Sequence, residues 1–208
     1  MELKKVKLYN FTSYAGEANF DFSTTSSQNI ILIGGNNGTG KTSLFTAIKL
    51  ALYGPLCFHY QGKNAQYSAR LKELMNHEAF TEAEVKTYVE VDVMLPVRQT
   101  RSVYTIHREW SYIGKKIRET YWVSDGGNLL ADRERDYFQN YLFTVIPPNM
   151  FEFFFFDGEE ISNFFSDSSY NAYIKNAVLT LCGYDTFGLI KKFCDTYVGG
   201  EFLDAEYS

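Results

Sequence analysis

The stretch that most restricts the fold is a glycine-rich segment, residues 35–42, with the sequence GNNGTGKT. It satisfies the pattern G-x-x-x-x-G-K-[ST] in full. Before it, the apolar run NIILI at residues 29–33 predicts a strand that is buried on both faces. After it, apolar residues at helical spacing over residues 41–52 predict an amphipathic helix, which Gly54 and Pro55 end. Strand, loop and helix in this order predict a phosphate-binding loop.

Each residue type in this loop has a physical task. The glycines allow the backbone to turn successive N–H groups inward, and the positive end of the following helix also attracts phosphate. Lys41 adds a charge for the β- and γ-phosphates, and the hydroxyl of Thr42 is a ligand for Mg²⁺. The predicted nucleotide-binding residues are Gly35, Asn36, Asn37, Gly38, Thr39, Gly40, Lys41, Thr42 and Ser43.

Alternation of apolar and polar residues predicts two groups of strands elsewhere in the chain. The first is an N-terminal hairpin with strands at residues 3–8 and 18–22 and a turn region at 10–17. The second is an antiparallel meander. Its predicted strands cover residues 85–93, 100–110 and 117–123. Helical patterns at residues 69–75 and 133–143 complete an α/β fold class.

Composition excludes several classes of protein. A hydrophobic share of 45% and a net charge of −5 exclude a disordered chain and a broadly basic coat for nucleic acid. We expect a cytoplasmic protein without membrane partners, because the sequence has neither an 18-residue apolar run nor a signal-peptide pattern. The three cysteines are odd in number and widely spaced, which argues against a disulfide framework or a CxxC metal site.

The chain resembles, from Leu3 to about Tyr197, the N-terminal lobe of SMC-like ATPases, the ABC-type heads of chromosome-maintenance and break-repair proteins. The resemblance rests on residues 8–14 (LYNFTSY), on residues 20–22 (FDF) and on the loop with its flanks, residues 31–44. The helix end AIKLALYG at residues 47–54 is also typical, whereas Thr12 stands where many members have Arg or Lys. The resemblance implies an ABC-type P-loop NTPase N-terminal lobe, with an antiparallel β-meander and flanking helices, that binds ATP and Mg²⁺.

Residues 147–161 (PPNMFEFFFFDGEEI) closely resemble the F-F-F-D-G-E stretch of the DndD family, the SMC-like ATPases of bacterial DNA phosphorothioation systems. In one interpretation the stretch is a Q-loop, in which Asp157 takes the place of Gln near the metal. In the other it is a Walker B strand, in which Asp157 binds Mg²⁺ through water and Glu159 polarises the attacking water. The intervening Gly158 and the preceding diproline favour the Q-loop. The resemblance implies Lys41, Asp157 and Glu159 as catalytic residues, and Thr42 and Asp157 as metal ligands.

Other elements of an SMC-like head are not recognisable in the sequence. It contains no second apolar run that ends in Asp-Glu, no signature loop and no long heptad repeat. In SMC-like ATPases these elements belong to a coiled coil and a C-terminal lobe, and the site closes between two heads. Residues 1–208 are therefore expected to be an N-terminal lobe that needs a C-terminal lobe and a second head. Alone, it should bind nucleotide weakly and hydrolyse it very slowly.

The resemblance implies an ATPase that acts on DNA beside sulfur-modification partner proteins. An alternative is a generic DNA-repair or phage-defence head of the same fold that binds DNA without a modification role. A small P-loop kinase or GTPase is disfavoured by the meander and by the missing N/T-K-x-D pattern. Basic residues of the meander are candidate DNA contacts. They are Arg98, Arg101, Arg108, Lys115, Lys116 and Arg118.

Overall fold

The structure, a computed structural model, describes residues 1–81, 83–97 and 100–151, together with residues 179, 190, 191 and 194. The side chain of Asn149 is not among the described parts. Residues Met1–Phe151 form one unit of the chain, and every element below belongs to it.

A six-stranded sheet, antiparallel throughout, forms the framework of this unit. Its order is β2-β1-β3-β4-β5-β6. The predicted hairpin and meander are confirmed, but they form a single sheet, because β1 also pairs with β3, with Val6 opposite Val91 and Leu8 opposite Val89. The strands are β1 Glu2–Phe11, β2 Tyr14–Asp21, β3 Val85–Val97, β4 Thr100–Ile113, β5 Lys116–Asp125 and β6 Asn128–Leu129.

The hairpin turn is tighter than the sequence predicts. Most of residues 10–17 belongs to β1 and β2, and the turn itself lies between Phe11 and Tyr14. The alternation that should reveal a strand is broken here by an irregular register between Tyr9 and Phe11, where Asn10 takes a positive φ of 48°. The side chain of Asn10 accepts a hydrogen bond from the Gly16 N–H at 2.8 Å, which stabilises this bend.

Three helices accompany the sheet: α1 Lys41–Tyr53, α2 Ala65–Leu74 and α3 Asp132–Val145. The three helical predictions are confirmed, with boundaries shifted by at most four residues. Helix α1 begins at the glycine-rich loop and ends at Gly54, whose φ of 56° favours glycine. Alternate residues of β3 face the core, and Val89, Val91 and Val93 are fully buried. Burying one such side chain contributes roughly 1.5–3 kcal/mol, so the sheet and α1 stabilise each other.

The predicted buried strand at residues 29–33 is wrong for this structure. The segment has no regular secondary structure, and the exposed fractions of Ile30 and Leu32 are 78% and 90%. A strand that is buried on both faces needs hydrogen-bonded neighbours and side chains packed above and below it. None of the six strands in the described part of the chain pairs with this segment, so its apolar side chains remain in solvent.

The outer face of the sheet carries a row of rings across four strands. Tyr9 stacks on Tyr88 at a centroid distance of 5.3 Å, Tyr88 lies 5.2 Å from His107, and His107 stacks on Trp122 at 4.5 Å. Next to this row lies Glu90. Its Oε2 is 3.1 Å from Nδ1 of His107, and its Oε1 accepts a hydrogen bond from the Lys7 ammonium group. Because both groups favour its charged form, the pKa of Glu90 is lowered to about 2.

Candidate nucleotide site

The glycine-rich loop needs glycine at both of its ends for different reasons. A Cβ at Gly35 would lie 2.4 Å from the Thr39 hydroxyl oxygen, so a side chain there would displace that hydroxyl from its hydrogen bond to the Asn36 carbonyl. Gly40 has a φ of 102°, and a Cβ there would lie 2.9 Å from Tyr14 Cζ. The left-handed backbone at Gly38, with a φ of 83°, turns the loop between these two points. The structure thus gives physical reasons for the spacing of the motif.

Lys41 bends back onto the loop that precedes it. Its ammonium group donates hydrogen bonds to the carbonyl oxygens of Gly35 at 2.7 Å and Asn36 at 2.9 Å. The Thr39 hydroxyl donates to the same Asn36 carbonyl at 2.8 Å. These bonds curl the loop around the ammonium group and place one positive charge within it. A phosphate oxygen is a stronger partner for that charge than a neutral carbonyl.

The N-terminal end of α1 is suited to an anion. Its first turn, which the structure describes in full, contains no acidic residue, and Gly40 offers no side chain that could cap the helix. A helix N-terminus carries a partial positive charge and unsatisfied N–H groups. Lys41 and Thr42 are both exposed at this end. The glycine cradle, the ammonium group and the Thr42 hydroxyl therefore fit a polyphosphate with a hard cation.

The β1–β2 hairpin holds the loop at the start of the helix. The Tyr14 hydroxyl donates to the Gly40 carbonyl at 3.0 Å, and its ring meets Phe20 edge-on at a centroid distance of 5.6 Å. Burial at this position raises the pKa of Tyr14. Sequence reasoning missed this contact, since twenty-six residues separate Tyr14 from Gly40 and no local pattern joins them.

The sequence of residues 5–182 matches an AAA domain family, and the match includes the loop, all three helices and most of the sheet. The chain belongs to this family. This family is one of SMC-like AAA ATPases, and the mixed α/β structure with its antiparallel sheet fits a P-loop ATPase lobe. The chain has no match among curated proteins. None of the helices in the described ranges combines the length and apolar character that crossing a membrane requires.

The predicted site residues of this AAA domain divide into two groups. Lys41, Thr42 and the loop residues lie together at the start of α1. Asp157 and Glu159 lie outside the described residues, so their assignment to a Q-loop or a Walker B strand stays a prediction. Within the described residues, no group of three or more His, Cys, Asp or Glu side chains could hold a metal ion. Of the two predicted metal ligands, Thr42 is the one with a described position.

The basic residues predicted as DNA contacts do not form a single cluster in the described part of the chain. Arg108 is 5% exposed, and its guanidinium donates to Glu119 at 2.9 Å, so it cannot contact DNA without leaving the core. Arg101 lies near the start of β4, about 40 Å along the strand from the β4–β5 turn at 3.3–3.4 Å per residue. Exposed basic residues at or next to that turn are Lys115, Lys116 and Arg118. Arg98 lies outside the described residues.

Proposed function

We propose that this AAA domain is the ATP-binding N-terminal lobe of an SMC-like head, most similar in role to the DndD family. The observation that carries the proposal is the glycine loop at the exposed start of α1, with the Lys41 ammonium held inside it. This arrangement combines a glycine-rich backbone cradle, a helix terminus and a cation, which together recognise a polyphosphate rather than a single carboxylate.

The division of tasks among the described residues follows from their positions. The loop amides and Lys41 would bind the β- and γ-phosphates, and the Thr42 hydroxyl would bind Mg²⁺. The ion neutralises charge on the phosphates. Lys41 is the natural stabiliser of charge that develops during phosphoryl transfer, since it already lies within the loop. Asp157 and Glu159 are proposed to act beside the metal and the attacking water.

Hydrolysis requires more than this lobe. Residues 30–33 expose four large apolar side chains directly before the loop, and a soluble protein rarely leaves such a stretch uncovered. We propose that a C-terminal lobe covers this segment and that a second head completes the site. By itself the chain should bind nucleotide weakly and turn it over very slowly, because phosphoryl transfer depends on positioned groups from all sides.

The proposal of a DndD role rests on the FFFFDGEE stretch at residues 153–160 and on its resemblance to that family. In such a role the ATPase acts on DNA together with sulfur-modification proteins. A second candidate is a DNA-repair or phage-defence head of the same family. The predicted basic residues do not form one continuous surface on the described part of the sheet. For either role, we therefore propose that DNA contacts the assembled heads.

Nucleotide binding is tested by titrating the 208-residue chain with ATPγS and Mg²⁺ in a calorimeter. Lys41→Met should abolish the heat of binding while the thermal midpoint is retained, because the side chain is exposed. Lys116→Met removes an exposed lysine at the start of β5, and this variant should bind as the parent chain does. Equal affinity for ATPγS in the parent chain and Lys41→Met would refute the site.

The cellular role is tested by exchanging Lys41 for Met in the native gene. If the DndD role is right, mass spectrometry of digested genomic DNA should show phosphorothioate dinucleotides in the parent strain and lose them in the variant. An unchanged phosphorothioate content, or none in either strain, would contradict the DndD role. A defect in phage resistance or break repair in that same variant would then favour the second candidate.

A further inference from the structure

The C-terminal end of α1 is held by side chains from elsewhere in the fold. A helix leaves its last carbonyl groups without internal partners and carries a partial negative charge there. The last turn of α1 contains no basic residue of its own. Instead, Arg108 on β4 donates from Nε to the Ala51 carbonyl at 2.9 Å, and Gln139 on α3 donates to the Leu52 carbonyl at 3.1 Å.

Arg108 is itself fixed on several sides. Its Nη1 donates to Glu119 Oε1 at 2.9 Å, and the two side chains are only 6% and 4% exposed. The guanidinium carbon lies 3.9 Å from the centre of the Tyr121 ring. Gly54 leaves room for this group, since a Cβ there would lie 3.0 Å from it. Burying a charged pair costs desolvation energy, and a pair of apolar side chains of similar volume would often stabilise the fold equally well. Stability alone therefore does not explain the Arg108–Glu119 pair.

The C-terminal end of α1 is packed in the core, and its position affects the position of the loop at the N-terminal end. Leu50, Ala51, Leu52 and Tyr53 are all buried, whereas Lys41 and Thr42 at the first turn are exposed. A helix of 13 residues is about 20 Å long at 1.5 Å per residue, so a small tilt at its C-terminal end displaces its N-terminal end and the loop there, which the Tyr14 hydroxyl also contacts. Shifts well below the size of an atom change how a phosphate cradle fits.

We propose that Arg108 is a positioning residue for the nucleotide loop. With Glu119 as its counter-charge and Gln139 beside it, it sets the direction of α1 and thereby the geometry of residues 35–42. The proposal rests on the proposed function in one respect, namely that this loop binds ATP. The sequence predicts Arg108 as a DNA contact, whereas the proposal gives it a role in supporting α1. In this role the sheet and α3 hold the helix that carries the nucleotide loop.

The test uses the double variant Arg108→Met with Glu119→Gln, which removes both charges and leaves no unpaired buried one. Its circular dichroism spectrum and cooperative melting should match those of the parent chain. Hydrogen exchange of the amides of residues 36–44 should accelerate, and the affinity for ATPγS should fall by roughly 2- to 30-fold, the range for changes remote from a ligand. The control Arg135→Met removes a guanidinium that lies over the same Tyr121 ring but is paired with Asp132.

Two results in the double variant would overturn the proposal. One is parent-like exchange at residues 36–44 with parent-like affinity in the double variant. The other is faster exchange spread evenly over the sheet, which indicates a purely structural pair. If the parent chain itself fails to bind ATPγS, the proposed function fails, and the exchange pattern still decides whether Arg108 positions the loop. The control should leave both readouts unchanged, and an equal effect of Arg135→Met would also refute the assignment.

Discussion

Truncating Leu32 to alanine tests the exposed segment in front of the nucleotide loop. In this structure the side chain is 90% exposed, so only about a tenth of its surface contributes to stability. Complete burial of a leucine contributes roughly 1.5–3 kcal/mol, and the expected loss is therefore about 0.2–0.3 kcal/mol. The matched change is Leu8→Ala in β1, where the leucine is 0% exposed. That variant should lose about 2–5 kcal/mol, because it also leaves a cavity.

Urea denaturation followed by circular dichroism measures both values on the 208-residue chain. The reasoning is refuted if Leu32→Ala lowers the free energy of unfolding by more than about 1.5 kcal/mol, since such a loss requires a buried leucine. The same variant has a second use once a C-terminal lobe is supplied. If that lobe covers the segment, Leu32→Ala should weaken its association with the chain, and Leu32→Asp should weaken it further.

Three further predictions concern the loop, the metal and the sheet. Gly40→Ala should lower the free energy of unfolding by about 1–3 kcal/mol because of the positive φ, and by more because its Cβ would collide with the hairpin. Gly38→Ala should have the backbone strain alone, since no atom lies within 4 Å of its Cβ position. Equal losses for the two variants in denaturation would contradict the packing of the hairpin on Gly40. Thr42→Ala should remove the Mg²⁺ dependence of ATPγS binding and Thr42→Ser should keep it, as a magnesium titration will show. Glu90 has an ordinary pKa of 4.5 that folding lowers to about 2, so its contribution to stability is complete above 4.5 and is lost as the pH falls toward 2. Glu90→Gln should therefore flatten the acid side of the stability profile, and an unchanged slope between these pH values would count against the Glu90–His107 contact.

The sequence predicts best the elements that carry a clear apolar periodicity within their own residues. Strand β3 alternates between a buried valine-rich face and a polar face, and α1 repeats apolar residues at helical spacing. Residues 29–33 have an equally clear pattern but lie exposed, because a buried strand depends on neighbours that the described part of the chain does not provide. A pattern of apolar residues indicates that a segment is suited to burial, but it does not identify the element that covers the segment.

The nucleotide site divides in the same way. The loop is recognisable because its glycines and Lys41 are contiguous in sequence. The contacts that hold its helix are not contiguous, since 57 positions separate Arg108 from Ala51 and 87 separate Gln139 from Leu52. Arg108 is also indistinguishable from a surface arginine until the register of β4 places it on the inner face, opposite Val89. Long-range pairings of this kind require the topology to be known first.

The position of β1 between β2 and β3 has a mechanical consequence. The chain leaves the sheet after Asp21, forms the loop, α1 and α2, and returns at Val85, so this excursion starts and ends on strands that flank β1. A protease cut within residues 29–33 would leave two fragments, one with β1 and β2 and one with the remainder, joined by seven residue pairs between β1 and β3. The nicked protein should stay assembled and keep its sheet, so residues 29–33 are a point at which the chain can be cut or extended while α1 and its loop stay packed on the sheet.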